Sequence, residues 1–214
     1  WHTRTPQGAS IALEVRTSED GKTWRAWTAM PPTDDDEDSL LQSADLLIGA
    51  GVKLQYRLTL SAAPDGSSPI LENLRLVCID SRPGPQASEL AAAPRLSATT
   101  RPNVIPRSAW GADESLMTWP PEYRPIRAIV LHHTVTSDGS VDPAAVVRAI
   151  YYYHAVTREW GDIGYNYLID AYGNIYEGRT GGVGVVGGHA LQYNWGSIGI
   201  AILGDYQENN VPSA

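Results

Sequence analysis

The sequence predicts a two-part protein: a small antiparallel β-sandwich over residues 1–80, a linker over 81–103, and an α/β domain over 104–214 whose mixed central sheet carries flanking helices. Three observations predict it. The first part alternates apolar and polar residues with a period of two, as half-buried strands do. The middle is rich in Pro, Ala, Ser and Thr and keeps no period, as a semi-extended linker does. From Val104 onward, β-branched runs are interleaved with a stretch of helical spacing, which is the pattern of an α/β domain.

In the first part, Ile11 to Thr17 alternates, and Ser18-Glu19-Asp20-Gly21 supplies an Asp-Gly turn into an aromatic strand at Trp24. A second strand is marked by Val52, Leu54, Tyr56, Leu58 and Leu60 alternating with Lys53, Gln55, Arg57 and Thr59. The acidic run Asp34 to Asp38 lacks the spaced ligands and glycine of a calcium loop, and reads as a solvated loop. Cys78 lies in another alternating run, Leu74 to Asp80, and reads as a small buried side chain. In the second part, Ile126 to Leu131 fits a buried strand. Asp142-Pro143 opens a helix by capping and by Pro in the first turn, and Val146, Ile150 and Tyr153 come next at helical spacing. Further strands are expected at 165–169, 175–177 and 198–203, with a glycine-rich loop at 181–188.

Composition narrows the function. A net charge of -8 argues against a nucleic-acid partner, whose phosphates attract basic surfaces. It argues equally against attraction to anionic lipid. No run is long and apolar enough for a membrane-spanning helix, and the first residues do not form a signal peptide. With a single cysteine no internal disulfide can form. Trp24 and Trp27 suit either sugar stacking or the sandwich core, and most large aromatics are buried.

Four of the five histidines, His132, His133, His154 and His189, lie in the second part. His132 and His133 close an apolar strand, a rigid mount for a metal ligand. Successive strand residues point to opposite faces, so one of the two is expected to face a metal. Spacing alone leaves open that both are ordinary polar residues at a strand terminus.

Neighbouring motifs weigh on that choice. In order they are Arg107-Ser108-Ala109-Trp110-Gly111, Leu131-His132-His133-Thr134, His154, and Trp160-Gly161-Asp162-Ile163-Gly164-Tyr165-Asn166-Tyr167. They continue with Tyr176-Glu177-Gly178-Arg179, Gly188-His189-Ala190, Tyr193-Asn194, Ser197-Ile198-Gly199-Ile200 and Leu203-Gly204-Asp205-Tyr206. This collinear set resembles the peptidoglycan recognition protein and type-2 N-acetylmuramoyl-L-alanine amidase family over about half of the chain. The resemblance implies a Zn2+ ion with His132 as its first ligand, and Tyr165 as a residue that assists catalysis. It also implies that His133, His154, Arg179, His189 and Asn194 lie in or near the substrate groove, with His189 a groove residue and not a ligand. The implied reaction is zinc-dependent hydrolysis of the amide between N-acetylmuramic acid and L-alanine. The alternative is a receptor module that binds peptidoglycan without cutting it. The implied partner is a muropeptide, and the implied location is extracytoplasmic, secreted or at the bacterial cell envelope. The family's second and third zinc ligands lie beyond a Gly-Asp-Tyr motif. Here that motif ends at Tyr206, shortly before Ala214, so truncation is expected. The 214-residue chain alone is therefore expected to bind zinc weakly and to lack amidase activity.

Overall fold

The computed structural model describes residues 1–32, 44, 46–47, 49, 51, 53–86, 88–89, 102–136 and 142–206. The acidic run Asp34 to Asp38, with most of the expected linker, lies outside the described residues. The chain divides into two compact units, Trp1–Val77 and Cys78–Ala214.

The first unit is a small antiparallel sandwich. Strands β1 (His2–Arg4), β2 (Ser10–Ser18), β3 (Thr28–Ala29), β4 (Lys53–Ser61) and β5 (Ile70–Asn73) form a two-stranded sheet, β1-β5, and a three-stranded sheet, β3-β2-β4. Trp1, Leu13 and Val15 are the buried centre, with Leu58, Leu71 and Leu74 packed against them. The alternation expected of β4 is present, because Leu54, Tyr56, Leu58 and Leu60 sit opposite Thr17, Val15, Leu13 and Ile11 of β2. Yet β4 lies at the edge of its sheet, and Leu54, Tyr56 and Leu60 stay exposed.

The turn after β2 is organised by one carboxylate. Asp20 accepts from the amides of Lys22 and Thr23, both at 2.7 Å, and Gly21 takes the positive φ of 70° that the turn requires. These amide donors hold the Asp20 carboxyl well below its ordinary range.

Trp24 and Trp27 are half-buried and stay outside the core. The Arg16 guanidinium lies 5.1 Å from the Trp24 ring and 4.5 Å from the Trp27 ring, and that of Arg57 lies 4.6 Å from Trp27. Guanidinium groups therefore lie against both rings as cation–π partners. Cys78 also departs from expectation. Strand structure ends at Asn73, so no sheet face takes up its side chain, and it is exposed.

The second unit is built on a mixed five-stranded sheet. Its strands are β6 (Val104–Ile105), β7 (Ala128–His133), β8 (Tyr167–Ile169), β9 (Ile175–Glu177) and β10 (Ser197–Ile202), in the order β6-β9-β8-β10-β7. Pairing is parallel except between β8 and β9. Helix α1 (Arg107–Trp110) precedes β7, and helix α2 (Pro143–Tyr152) comes after it. Cross-strand partners share a face, so His132, Ala201, Leu168 and Tyr176 lie together, the last three fully buried. The opposite face carries Ile129 and Leu131, which are 68% and 65% exposed. The composition of Ile126 to Leu131 predicts burial on both faces. Among the described residues nothing packs over that face, and of Ile126 to Leu131 only Val130 is partly buried.

Asp142 precedes α2 as expected, and Pro143 occupies its first turn, but the Asp142 side chain makes no capping hydrogen bond. Its carboxylate lies 3.6 Å from Arg148 instead. The Arg148 guanidinium, in turn, donates to the carbonyls of Ser81, Pro85 and Trp110 at 2.8–2.9 Å. The first residues of the expected linker are thereby tied to α2. Beyond Tyr152 the helix continues as a π-turn over Tyr153–Thr157. The extra residue in that turn rotates the facing of the side chains it carries, and His154 ends up buried.

Candidate functional site in the second unit

β7 delivers His132 and His133 to opposite faces, as the strand period requires. His132 meets two other predicted residues at the covered face. Its Nε2 lies 2.9 Å from Nδ1 of His189, and its ring centre is 5.5 Å from that of Tyr165. Tyr165 lies in turn 5.5 Å from His154. His132, Tyr165, His189 and His154 therefore form one connected cluster. His133 does not join it. Its Nδ1 accepts from the Tyr206 amide at 3.0 Å and lies 3.5 Å from Asp205, on the other face of the sheet.

His154, Arg179 and Asn194 hold the backbone around the cluster. His154 is 7% exposed, and its Nδ1 accepts from the Gly164 amide at 3.1 Å, fixing the backbone next to Tyr165. Trp160 packs on its ring at 4.6 Å. Arg179 is buried, with its guanidinium 4.0 Å from the Trp119 ring and a long bond of 3.4 Å to the Ile163 carbonyl. The side-chain oxygen of Asn194 accepts from the amides of His189 and Ala190 at 2.8 and 2.7 Å, so it shapes the loop that carries His189.

Three contributors escape a reading of side-chain chemistry. Asn166 is buried and bridges the Gly199 amide and the Val185 carbonyl. Ser197 reaches His189 Nε2 at 3.2 Å. Gly199 leaves room for the His189 ring, because a β-carbon there would overlap it. Ser197 and Gly199 stand in the Ser-Ile-Gly-Ile motif, but their partner His189 comes from another loop, and no local pattern shows that pairing.

Burial, with the nearby charge of His133, lowers the pKa of His132. Burial and then the charge of His132 lower that of His189 to about 4. Both rings are therefore neutral at pH 7 and carry one N–H and one lone pair each.

Comparison with known proteins gives the chain's relatives. The N-acetylmuramoyl-L-alanine amidase family signature matches residues 122–214. Peptidoglycan-recognition protein SC2 of Drosophila melanogaster is 40% identical over 114 residues, which is 52% of this chain and 60% of that protein. Peptidoglycan-recognition protein LE of the same organism is 37% identical over 113 residues, 52% of this chain and 32% of that protein. Among solved structures, a mutant of Drosophila PGRP-LB is 32% identical, covering 52% of this chain and 67% of that one, with a TM-score of 0.45. Through its second unit the chain belongs to the peptidoglycan recognition protein and type-2 amidase family. It spans 60% or less of the length of the SC2 and LE proteins.

Zinc, which the resemblance implies, can be tested against the donors of this chain. A zinc ion takes His nitrogens at about 2.0–2.1 Å, and a catalytic site has three protein ligands. The cluster supplies two nitrogens, His132 Nε2 and His189 Nδ1, hydrogen-bonded to one another at 2.9 Å. Among the described residues no group of three His, Cys, Asp or Glu side chains could hold a metal ion. The described residues therefore do not fit a zinc centre.

The burial of His154 gives a pH prediction for this family member. Burial first, and the charge of Arg158 second, push its pKa down to about 3. In the unfolded chain it titrates near 6.5. Above that pH both states are neutral and His154 adds no pH dependence. As pH falls through 6.5 the unfolded state takes up a proton that the folded state refuses, so stability falls. At pH 5 the loss is roughly 2 kcal/mol, and it grows until about pH 3. His132 and His189 shift in the same direction. His154→Asn keeps an acceptor for the Gly164 amide but cannot titrate. Urea denaturation at pH 7.5 and pH 5 is expected to show a smaller loss in this variant, and an equal loss in both proteins would contradict the assignment.

Proposed function

We propose that the cluster of His132, Tyr165 and His189 binds the junction between muramic acid and its peptide stem in peptidoglycan. The observation that carries this reading is the convergence of three predicted residues, from β7, from the segment before β8 and from the loop before β10, on one end of the sheet. Neutral imidazoles and a phenol suit a ligand rich in amides and hydroxyls, since each offers a donor or an acceptor without a net charge to desolvate. The related LE protein has been seen in complex with tracheal cytotoxin, a monomeric diaminopimelic acid-type peptidoglycan, which supports the ligand class. A peptidoglycan ligand also implies work outside the cytoplasm. No helix among the described residues is long and apolar enough to cross a membrane.

The finer part of the proposal is hydrolysis of the bond between the lactyl group and L-alanine. The placement of His132 beside Tyr165 supports it, because an imidazole and a phenol at one point can also serve acid–base chemistry at that bond. In this reading the Tyr165 phenol donates to the amide carbonyl as negative charge develops there. Zinc is given no step in this reading, because the described residues supply two nitrogen donors where a catalytic centre takes three protein ligands.

Calorimetric titration with a muramyl tripeptide tests the binding reading. Micromolar affinity is expected, falling at least tenfold in His132→Ala and Tyr165→Phe. Absence of binding to both the soluble muropeptide and insoluble peptidoglycan would end it. Release of muramic-acid termini from sacculi tests the hydrolytic part, and a folded protein that binds muropeptide but releases none would reduce the proposal to binding; with two nitrogen donors at the site, zinc after purification is expected to be substoichiometric. Chelator-sensitive release by this chain would show that the two-donor description of the site is wrong.

A further inference from the structure

We infer that Ser197 is a positioning residue that fixes which nitrogen carries the proton in both histidines of the cluster. Ser197 is buried, and its hydroxyl oxygen lies 2.6 Å from the Tyr193 carbonyl, 3.4 Å from the Asn194 carbonyl and 3.2 Å from His189 Nε2. A serine hydroxyl has one proton, and a carbonyl can only accept. The short contact to Tyr193 therefore takes the serine proton. His189 Nε2 must then be the donor to Ser197 Oγ. At pH 8 an imidazole is neutral and has a single N–H, so the His189 Nδ1 is bare. That bare nitrogen is 2.9 Å from His132 Nε2, which must carry the proton that joins them. The order is thus fixed along the chain: His132 donates to His189, His189 to Ser197, and Ser197 to the Tyr193 carbonyl.

This order has two consequences. Both rings are held in one tautomer and one orientation before any ligand arrives, so binding costs no rearrangement of them. The order also ends in the loop that presents Leu191, Tyr193 and Trp195 to solvent, each more than 60% exposed. Asn194 ties the same loop to the His189 amide. A ligand that displaces this loop must therefore disturb the proton order at His132. This inference rests on the proposed function only for its effect on ligand binding; the tautomers themselves do not depend on it.

The test is long-range proton–nitrogen correlation spectroscopy of the 15N-labelled full chain at pH 8, with ring signals assigned through His132→Gln and His189→Gln. Wild type is expected to show His132 and His189 each as the Nε2–H tautomer. Ser197→Ala is expected to give mixed tautomers at His189, and Ser197→Thr, which keeps the hydroxyl, to restore the single form. A wild-type His189 protonated at Nδ1 overturns the inference even if Ser197→Ala does not fold. An unchanged tautomer in a folded Ser197→Ala protein overturns it as well. Titration of the same variants with muramyl tripeptide separates the two proposals. Mixed tautomers with a tenfold loss of affinity support both, whereas mixed tautomers with undiminished affinity uphold the proton order and count against the cluster as the binding site.

Discussion

Replacing Arg107 by alanine is expected to cost the second unit about 3–5 kcal/mol, the scale for removing one partner of a buried ion pair. Arg107 is 4% exposed, and its Nη1 lies 3.1 Å from a carboxylate oxygen of Asp162, which is fully buried. Its Nε and Nη2 engage both oxygens of Glu114 at 2.8 Å, and its Nη1 also donates to the Gly178 carbonyl. Asp162 accepts in addition from the amides of Ile163 and Thr180, at 2.7 and 2.9 Å. Without the guanidinium these two amides and the nearby charge of Arg179 must hold a carboxylate that no water reaches. The effect extends to the candidate site, because Asp162 anchors the segment that carries Gly164 and Tyr165. Chemical denaturation of Arg107→Ala is the direct measurement. Arg107→Met combined with Asp162→Asn removes the charge along with its partner, and is expected to recover part of the loss. A cost below about 1 kcal/mol in Arg107→Ala would show that the pair contributes little.

Gly199→Ala is expected to have the largest effect on the site itself. An added β-carbon would overlap the ring of His189, and Gly199 sits in the middle of β10, where parallel pairing on both sides leaves the backbone no room to retreat. His189 has to move, and the bond to His132 Nε2 breaks with it. Overpacking of this kind costs about 1–3 kcal/mol of stability. If the cluster binds a muropeptide, affinity should fall at least tenfold. Gly66→Ala is a control, since its β-carbon would meet nothing within 4 Å and its positive φ of 84° confines the cost to backbone strain in the first unit. An equal effect of the two substitutions on binding would contradict a specific role for the space at Gly199.

Much of this was legible in the sequence because it depends on local chemistry. The period of two at Ile11 to Thr17 and Leu54 to Leu60 located β2 and β4. The apolar run before His132 located β7, and Asp142-Pro143 located the start of α2. The collinear motifs identified the family, which the amidase signature over residues 122–214 and the peptidoglycan-recognition relatives then showed. The prediction that His132 and His133 point apart needed only the alternation of a strand.

Tertiary structure decided the rest. Whether Leu131 is buried depends on what packs over its face of the sheet, a property of the tertiary structure that the run itself does not encode, and among the described residues it is 65% exposed. Arg179, Asn194 and His154 were readable as polar residues near a groove. Only the fold shows that they hold the backbone around the site while His132, Tyr165 and His189 meet at its centre. The sequence by itself determined which residue types are present and which strand end carries the first histidine. The packing determined that His189, 57 positions further along the chain, is the partner of that histidine. A hydrogen bond between distant segments is set by how the chain closes on itself, and nearest-neighbour pattern has no means of recording it.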